Sequence, residues 1–530
     1  MLDYDVVIIG GTITGIYAAI TATQLQGRVA LIQPASTADI APLREDGNRS
    51  TGGGDTERWR RTNEDEQLSP TTMQRPALEK VDESISSVLT DNQGCRHQKI
   101  ISQIGKFAEQ VRYIEQFGIY QGSNQSSDVW VKFEEAKKYA DDVVSNQLAR
   151  YDPAVLAGLG IDVIFGEGKF VTQPHLAFVV KGRHLRSRTY LLAIPPQPII
   201  PPIPGLITTG FITAETINKL SKLPQTLVVI GGDPNGTEIA QTFARLGTKV
   251  IMVVKNSHIL GQEDSEAACL LQAQLEAEGV RIFTQTEVFQ AREIDGKKWV
   301  LVGNEAIETD EILLAVGQKV DMDALNLQTV GVKFDRRGLV LNRKLQTTNP
   351  RIYACGDLAG GYSFPHIANY EVQVALKNIL YLPIFDVNYS GIPWAIGSDP
   401  KIARVGLTEA QARRRYGQEI LVCRQYFKNI DLPQILGETT GFCKFIACRN
   451  GKILGVSVVG TQASEIVHVM ALAIREGIKM EAIAELPHIW PTISEINAQT
   501  AAAWLKQRRE GNQSVKNWLE NLFHWRRSWS

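Results

Sequence analysis

A strand, a glycine-rich turn, a helix and a second strand occur in that order twice in this chain, and the repeat limits the possible folds. The first copy opens with the apolar run 4–9, followed by the turn Gly10-Gly-Thr-Ile-Thr-Gly15. The second copy opens with the run 227–230, followed by the turn Gly231-Gly-Asp-Pro-Asn-Gly236. Each copy is typical of a dinucleotide-binding βαβ unit. The sequence therefore predicts an α/β protein with two Rossmann-like domains.

Prolines and one asparagine-glycine pair indicate how the rest of the chain is divided. Six prolines lie between residues 195 and 204. Proline lacks a backbone N–H and has a fixed φ, so this run cannot lie inside a helix or a central strand and marks a crossing between domains. Asn450-Gly451 lies between two apolar runs, which is a strong signal for a hairpin turn. We therefore expect a third region, with an antiparallel sheet, beyond residue 390.

The charge balance and the cysteine content exclude several classes of protein. The 530 residues include 56 Lys and Arg against 57 Asp and Glu, a formal net charge of -1, so there is no basic surface for nucleic acid. No apolar run approaches the ~18 to 20 residues of a membrane span, and no cationic signal region opens the sequence. The six cysteines show no clustering typical of a metal site. These features predict a cytoplasmic protein without metal or nucleic-acid partners.

Five further segments accompany the two turns in a fixed order. They are Ile200-Pro-Pro-Ile-Pro-Gly205, Leu314-Ala-Val-Gly317, Ile352-Tyr-Ala-Cys-Gly-Asp357, Ala403-Arg-Val-Gly-Leu-Thr-Glu409 and Pro491-Thr-Ile-Ser-Glu495. With them, the chain resembles the pyridine nucleotide-disulfide oxidoreductases over about residues 4–500, and especially the mercuric-reductase-like members. The resemblance implies a homodimer with three domains. These are an FAD-binding domain (1–205 and 319–385), an NAD(P)-binding-like domain (206–318) and an α+β dimerisation domain (386–500).

The first turn carries the residues expected of the FAD site. Gly10 permits the sharp bend and Gly15 permits close helix packing, while the helix N-terminus attracts a pyrophosphate. Thr12 replaces the middle glycine, where it crowds the phosphate but is neutral and offers a hydroxyl. Gln33 replaces an acid that contacts the adenosine ribose, and its amide can still form a hydrogen bond there. The resemblance assigns Gly356-Asp357 to the ribityl-phosphate part of FAD; the alternative is a plain turn.

The second turn keeps Gly231 and Gly236, but Asp233 replaces the middle glycine. A carboxylate that points into the anion site opposes the binding of NAD(P)H, because it repels the pyrophosphate. Two like charges ~5 Å apart at an effective dielectric of ~20 repel by about 3 kcal/mol. Alternatively, Asp233 caps its own helix and fills the position that a pyrophosphate would use. Lys255, at the usual ribose-acid position, either favours a 2′-phosphate or is an exposed lysine after a strand. We therefore expect Asp233 to be the main obstacle to NAD(P)H binding.

The residues for disulfide chemistry differ most from the family pattern. The resemblance implies two cysteines separated by four residues soon after the second strand, and none lies between residues 34 and 76. Cys443 and Cys448 have that spacing, but an offset of five in a strand turns them to opposite faces, as in core residues. The family's histidine base corresponds to Trp490, whose indole can only donate. The sequence therefore predicts no dithiol relay.

Three residues remain as catalytic candidates. Glu495, which would orient the missing histidine, is present, and His488 is either a displaced base or a surface or capping histidine. Glu238 matches a family glutamate that pairs with a lysine beneath the flavin, for which Lys80 is a poor substitute. The sequence thus predicts an FAD-binding oxidoreductase without a redox-active disulfide. The alternative is a catalytically inactive dimeric pseudoenzyme that binds a protein or a membrane.

Two segments lie outside these motifs. The polar stretch 34–76 predicts a long loop, and residues 501–530 predict an amphipathic basic tail. In the tail, Trp518, Leu522 and Phe523 fall on one helical face. Such a helix either lies in a membrane interface, which implies a peripheral membrane location, or docks on the protein's own dimer.

Overall fold

The structure, a computed structural model, describes residues 2–33, 90–117, 119, 130–320, 322–335, 338–360, 364–510 and 513–529. The loop predicted for residues 34–76 lies outside these ranges. The described residues form three units, each built on a five-stranded sheet.

The first unit opens with the predicted βαβ repeat, and its strands β1, β2, β3 and β7 pair in parallel. In chain order its elements are β1 (Tyr4–Ile9), α1 (Ile13–Gln24), β2 (Val29–Gln33), α2 (Thr90–Tyr113), α3 (Phe133–Leu148), α4 (Pro153–Gly158), β3 (Ile161–Phe165), β4 (Gly168–Val171), β5 (Ala177–Val180), β6 (Arg183–Leu185), β7 (Ser187–Leu192) and β8 (Gln197–Pro198).

The second unit repeats this arrangement, with the sheet order β12-β11-β10-β16-β9. Its elements are α5 (Leu206–Thr209), β9 (Ile212–Thr213), β10 (Thr226–Ile230), α6 (Pro234–Arg245), β11 (Lys249–Val253), α7 (Ser265–Ala277), β12 (Arg281–Phe283), β13 (Val288–Ile294), β14 (Lys297–Val302), β15 (Glu305–Thr309) and β16 (Glu311–Leu314).

The chain then returns to the first unit. The returning elements are β17 (Gln318–Lys319), β18 (Phe334–Asp335), β19 (Gly338–Leu339), β20 (Ile352–Ala354) and α8 (Pro365–Leu380). β17 pairs with β8, so the chain enters and leaves the second unit side by side at the proline-rich crossing. β20 pairs with β7 and completes the order β20-β7-β1-β2-β3, which matches the second sheet read in reverse.

Both parallel sheets are covered on their two faces. Val6 and Ile8 of β1 belong to the core that contains α1 and α8, whereas Val7 packs with the small sheet of β4, β5 and β6. In β10, Val229 likewise packs with helices, whereas Val228 packs with the sheet of β13, β14 and β15. Because both faces are buried, these strands are continuous apolar runs.

The third unit is an antiparallel sheet of order β21-β22-β25-β24-β23 with helices packed on it. Its elements are β21 (Pro393–Ile396), β22 (Lys401–Gly406), α9 (Glu409–Tyr416), β23 (Ile420–Tyr426), α10 (Asp431–Ile435), β24 (Phe442–Cys448), β25 (Ile453–Gly460), α11 (Ala463–Arg475), α12 (Met480–Glu485), α13 (Glu495–Glu510) and α14 (Gln513–Arg527). Asn450-Gly451 connects β24 to β25, and Gly451 has φ +88°, so the predicted hairpin is confirmed.

The predicted start of the tail at residue 501 is wrong, because it falls inside α13. Ala501 and Trp504 are fully buried in the core of the third unit. The polar and basic residues after Trp504 gave no sign in the sequence that this helix has a buried face. Only α14 therefore remains as a tail. Among the described residues, no helix is long and apolar enough to cross a membrane.

Candidate functional site

The first glycine turn lies between β1 and α1, at the carboxyl edge of the first sheet. Gly10 has φ +135°, and a Cβ atom placed on it would lie 2.0 Å from the backbone oxygen of Ala193. A Cβ atom on Gly15 would lie 2.0 Å from the oxygen of Gly10. Only glycine fits at these two positions, so the backbone stays open to a pyrophosphate at the N-terminus of α1.

Thr12 caps α1 with an uncharged group. Its Oγ1 accepts a hydrogen bond from Gly15 N at 3.2 Å and donates one to Ala193 O at 3.2 Å. The hydroxyl therefore satisfies one free amide of the helix and adds no charge. The geometry of the first turn fits an adenine dinucleotide such as FAD.

Two other predicted FAD contacts lie at the same edge of this sheet. Gln33 is buried at the end of β2. Gly356 follows β20, has φ +69° and begins the short 3-10 turn that contains Asp357. The ends of β1, β2 and β20 thus bring Gly10, Gln33 and Asp357 to one edge of the sheet, as expected for a ligand crevice in an α/β sheet.

Glu371 on α8 supports this edge, and sequence reasoning missed it because it belongs to no motif. Its Oε2 accepts from Gly356 N at 2.7 Å, and its Oε1 accepts from the hydroxyl of Tyr389 at 2.7 Å. Burial raises the pKa of Glu371 to about 7, although both hydrogen bonds act in the opposite direction. A titratable acid therefore holds the turn that carries Asp357.

The second turn has the same backbone with a charged cap. A Cβ atom on Gly231 would lie 1.9 Å from Ala315 O, and one on Gly236 would lie 2.3 Å from Ala315 Cβ. Asp233 Oδ1 accepts from Gly236 N at 2.7 Å, which favours the capping interpretation. Burial and then the charge of Glu215 raise the pKa of Asp233, while backbone N–H groups lower it. The carboxyl occupies the end of α6 at which a pyrophosphate would bind.

Lys255 lies just beyond β11 and belongs to the protein surface. It is 81% exposed, and its Nζ lies 2.6 Å from Glu287 Oε1. The structure thus favours the interpretation of an exposed lysine, here paired with an acid, over a dedicated phosphate ligand.

A buried carboxylate, Glu238 on α6, joins the three units. Lys99 Nζ on α2 donates to Glu238 Oε1 at 2.6 Å, and Gln98 Nε2 donates to Oε2 at 3.2 Å. The backbone N–H of Gly397, next to β21, also donates to this carboxylate. The lysine partner of Glu238 is therefore Lys99, whereas Lys80 lies outside the described residues.

Cys95 lies one helical turn before Lys99 on α2, and the sequence analysis overlooked it. Burial raises the pKa of its thiol to about 11, and the charges of Glu215, Glu238 and Asp357 act in the same direction. Lys99 alone among the named charges lowers it. The thiol is therefore influenced by the charges of Glu238 and Asp357 and is protonated at neutral pH.

The family's cysteines were expected in residues 34–76, soon after β2. The stretch between β2 and α2 is long, so the distance from β2 was a poor guide. The contact between Lys99 and Glu238 directs attention to α2, which carries Cys95 four residues before Lys99. A cysteine pair with the family's spacing that ended at Cys95 would begin at residue 90, the first residue of α2.

The residues near the family's C-terminal motif have local partners. Trp490 Nε1 donates to Asp431 Oδ2 at 2.7 Å, and Glu495 Oε1 accepts from the N–H of Thr492 at 2.8 Å. His488 Nδ1 donates to the backbone oxygen of Leu486 at 2.8 Å. Within the described ranges, these contacts do not join His488 to Glu495. The geometry favours the interpretation of His488 as a capping histidine.

Cys443 and Cys448 are core residues on opposite faces of β24, as their offset predicts. Cys443 is fully buried with residues of α11 and α13, whereas Cys448 packs near Ala412 of α9. All six cysteines are free thiols in the structure.

Comparison with known proteins agrees with this geometry. The profile of the family described as pyridine nucleotide-disulphide oxidoreductase matches residues 72–375, and the profile of its dimerisation domain matches residues 392–501. Dihydrolipoyl dehydrogenase of Bacillus subtilis (strain 168) is 30% identical over 421 residues, which cover 77% of this chain and 87% of that enzyme. Mercuric reductase of Staphylococcus aureus is 31% identical over 333 residues, which are 62% of this chain and 60% of that enzyme.

A solved structure resembles the whole chain more distantly. The Cu(II) complex of the HOCl-induced flavoprotein disulfide reductase RclA from Escherichia coli has a TM-score of 0.74 and 22% sequence identity. The match covers 95% of this chain and 100% of that one, and at this identity it shows the fold alone. With the two profile matches, it supports two nucleotide-binding units followed by a dimerisation domain. The chain belongs to the pyridine nucleotide-disulphide oxidoreductases, a family of FAD-dependent enzymes that use NAD(P)H as a substrate.

Proposed function

We propose that the protein is an FAD-dependent, NAD(P)H-using oxidoreductase that does not pass electrons through a redox-active disulfide. The pairing of Lys99 with Glu238 carries this proposal, because it supports a position of Cys95, four residues before Lys99, at the flavin site. A cysteine pair with the family's spacing that ended at Cys95 would begin at Thr90, which has a hydroxyl in place of a thiol. Cys443 and Cys448, which have the family's spacing, are buried in separate clusters and offer no replacement.

FAD, when bound, supplies two-electron redox chemistry, and NAD(P)H supplies the hydride. Gly10 and Gly15 would hold the pyrophosphate against the N-terminus of α1, and Gln33 would contact the adenosine ribose. Asp357 would contact the ribityl-phosphate part. Lys99, fixed by Glu238, would supply a positive charge to the site.

Cys95 and Trp490 restrict which acceptors the enzyme can serve. The Cys95 thiol is protonated at neutral pH because of burial, so it is a poor nucleophile towards a disulfide substrate. Trp490 cannot take up or deliver a proton at the position of the family's histidine base. These two residues favour acceptors that take electrons directly from the reduced flavin, without a thiol relay.

A thiol count tests the proposal directly. The FAD-loaded protein is unfolded anaerobically before and after reduction by one equivalent of NAD(P)H, and its accessible thiols are titrated. We expect six thiols in both samples, because all six cysteines are already free. A gain of two thiols on reduction would show that a redox-active disulfide exists.

Steady-state assays with matched variants test the same proposal by another route. We expect NAD(P)H oxidation with ferricyanide or a soluble quinone, and none above background with lipoamide, glutathione disulfide or Hg(II). Cys95→Ser should retain ferricyanide reduction, as should the control Cys269→Ser, which replaces an exposed cysteine. Loss of that activity in Cys95→Ser alone would mean that the thiol carries electrons.

The alternative, a pseudoenzyme that binds a protein or a membrane, is favoured by one observation, the Asp233 cap on α6. The absorption spectrum separates the two functions. A colourless protein that also fails to take up added FAD would remove the enzyme proposal.

We further propose that the third unit forms a homodimer. A dimerisation profile matches this unit, and three apolar side chains near its last motif are exposed in a single chain, namely Leu486, Ile489 and Trp490, at 50%, 80% and 68%. A second copy would cover them. Light scattering should give the mass of a dimer for the wild type and of a monomer for Ile489→Asp. We also propose a reducing, cytoplasmic location, which the free cysteines support.

A further inference from the structure

Helix α14 carries a stripe of exposed aromatic residues. Trp518 and Trp525, seven residues apart, project from one face, and Trp529 follows in the turn after the helix. The three side chains are 61%, 52% and 76% exposed. The rings of Trp525 and Trp529 have centroids 4.6 Å apart, so they form one continuous apolar surface. Phe523, 52% exposed, widens this surface at its edge.

The stripe is concentrated in a short part of the sequence. Three of the nine tryptophans of the chain lie between residues 518 and 529. By contrast, Trp504 on the preceding helix is fully buried in the third unit. The packing of the third unit therefore uses the tryptophan of α13 and leaves those of α14 exposed. An exposed apolar surface of this kind marks a site of interaction.

The charge of this region is opposite to that of the rest of the protein. Residues 513–530 contain three Lys and Arg against one Glu, a net charge of +2. Since the whole chain carries -1, the other 512 residues carry -3. Arg526 and Arg527 are exposed at the end of α14, next to Trp525 and Trp529. Cations beside tryptophans are the combination that binds an anionic bilayer surface.

We propose that α14 is a membrane-surface helix that binds the protein to bilayers containing anionic lipids, with Trp518, Trp525 and Trp529 in the headgroup region. Tryptophan suits this position because its ring is apolar while its N–H needs a polar partner. The 15 residues of α14 extend for about 22 Å, so the helix lies along the surface and does not cross it. This proposal does not depend on the catalytic function.

Vesicle flotation with the full chain loaded with FAD tests the proposal. We expect binding to vesicles of phosphatidylcholine with 30% phosphatidylglycerol, and little binding to pure phosphatidylcholine. Binding should weaken in 1 M salt, where the Debye length falls to ~3 Å. Trp518→Ala combined with Trp525→Ala should lower the partition coefficient on the order of tenfold or more. Arg526→Gln should lower it on the order of fivefold.

Two matched controls keep the test specific. Trp130→Ala removes a tryptophan that is 72% exposed but lies outside the tail, and Arg414→Gln removes an exposed arginine of α9. Both controls should bind vesicles as the wild type does. Equal binding by the tail variants and the controls would overturn the proposal, as would no preference for anionic vesicles. A change of mass in light scattering of the tryptophan variants, without a change in vesicle binding, would assign α14 to a contact between subunits instead.

Discussion

The two glycine turns have almost the same backbone, yet they differ in the charge that they present to a ligand. A Cβ atom added to Gly10 would lie 2.0 Å from a backbone oxygen, and one added to Gly231 would lie 1.9 Å from a backbone oxygen. In both turns a side chain caps the following helix. The cap is the hydroxyl of Thr12 in the first and the carboxyl of Asp233 in the second. The comparison shows that the two turns share one backbone shape, and it predicts that the capping side chain decides how strongly each turn attracts a pyrophosphate.

The largest effect should come from adding a methyl group to the glycine that lies against a backbone oxygen in either turn. Gly10→Ala should lower FAD affinity by a factor on the order of a thousand, because the positive φ and the contact with Ala193 O oppose a methyl group together. Gly231→Ala should lower NAD(P)H affinity instead and leave the bound flavin in place. Flavin absorbance and nicotinamide fluorescence measure the two affinities separately.

Gly247→Ala is the matched control for this pair of variants. Its φ of +103° is close to that of Gly231, but nothing lies within 4 Å of the added Cβ atom. It should retain both cofactor affinities. If it lost them as the other two variants do, backbone strain rather than close approach would explain the effect.

The buried acid of the first unit should make folding depend on pH. The folded pKa of Glu371 is raised to about 7 by burial, above its unfolded value near 4.5, so the folded state keeps a proton that the unfolded state has lost. The stabilisation is complete below pH 4.5 and is lost as the pH rises to about 7. Relative to Glu371→Gln, the wild type should lose about 3 kcal/mol of unfolding free energy between pH 4.5 and 8.

Urea unfolding of both proteins at several pH values measures this difference, since other titrating groups cancel in the comparison. A parallel pH dependence in the two proteins would mean that Glu371 is ionised in the folded state. The turn that carries Asp357 would then be held by a fixed charge.

Exchanging the caps should exchange the properties of the turns. Asp233→Thr removes the repulsion from the second turn and keeps a cap, so NAD(P)H affinity should rise by about tenfold after solvent screening. Thr12→Asp should weaken FAD binding by a similar factor. Fluorescence titration provides both values, and Asp233→Gly tests the same repulsion without a cap. Unchanged NAD(P)H affinity in Asp233→Thr and Asp233→Gly would mean that the second turn is not an anion site.

The smallest effect should come from Lys255. Its ammonium is exposed and already paired with Glu287, and such surface pairs contribute little. Lys255→Ala should therefore change the ratio of NADPH to NADH affinity by less than about threefold. A loss of NADPH affinity much larger than this would restore Lys255 as a ligand of the 2′-phosphate.

The sequence predicted the fold well because its signals are local. A run of apolar residues, a turn that needs glycine and a proline-rich crossing each depend on neighbours in the chain, and all of them were located correctly. Asn450-Gly451 similarly predicted the β24–β25 hairpin. The boundary of the tail was less accessible to this reasoning, because the burial of Trp504 depends on packing against α11 and α12 rather than on its neighbours.

The sequence by itself determined the two βαβ units, the positions of the glycine turns and the absence of a histidine before Pro491. Only the tertiary structure decided that Lys99 partners Glu238, a contact between residues 139 positions apart. It also decided that Asp233 caps α6 and that the charges of Glu238 and Asp357 act on the thiol of Cys95. The physical reason is that backbone turns are specified by short-range sterics, whereas charge pairing and the pKa of a thiol depend on groups that folding brings together from distant parts of the chain.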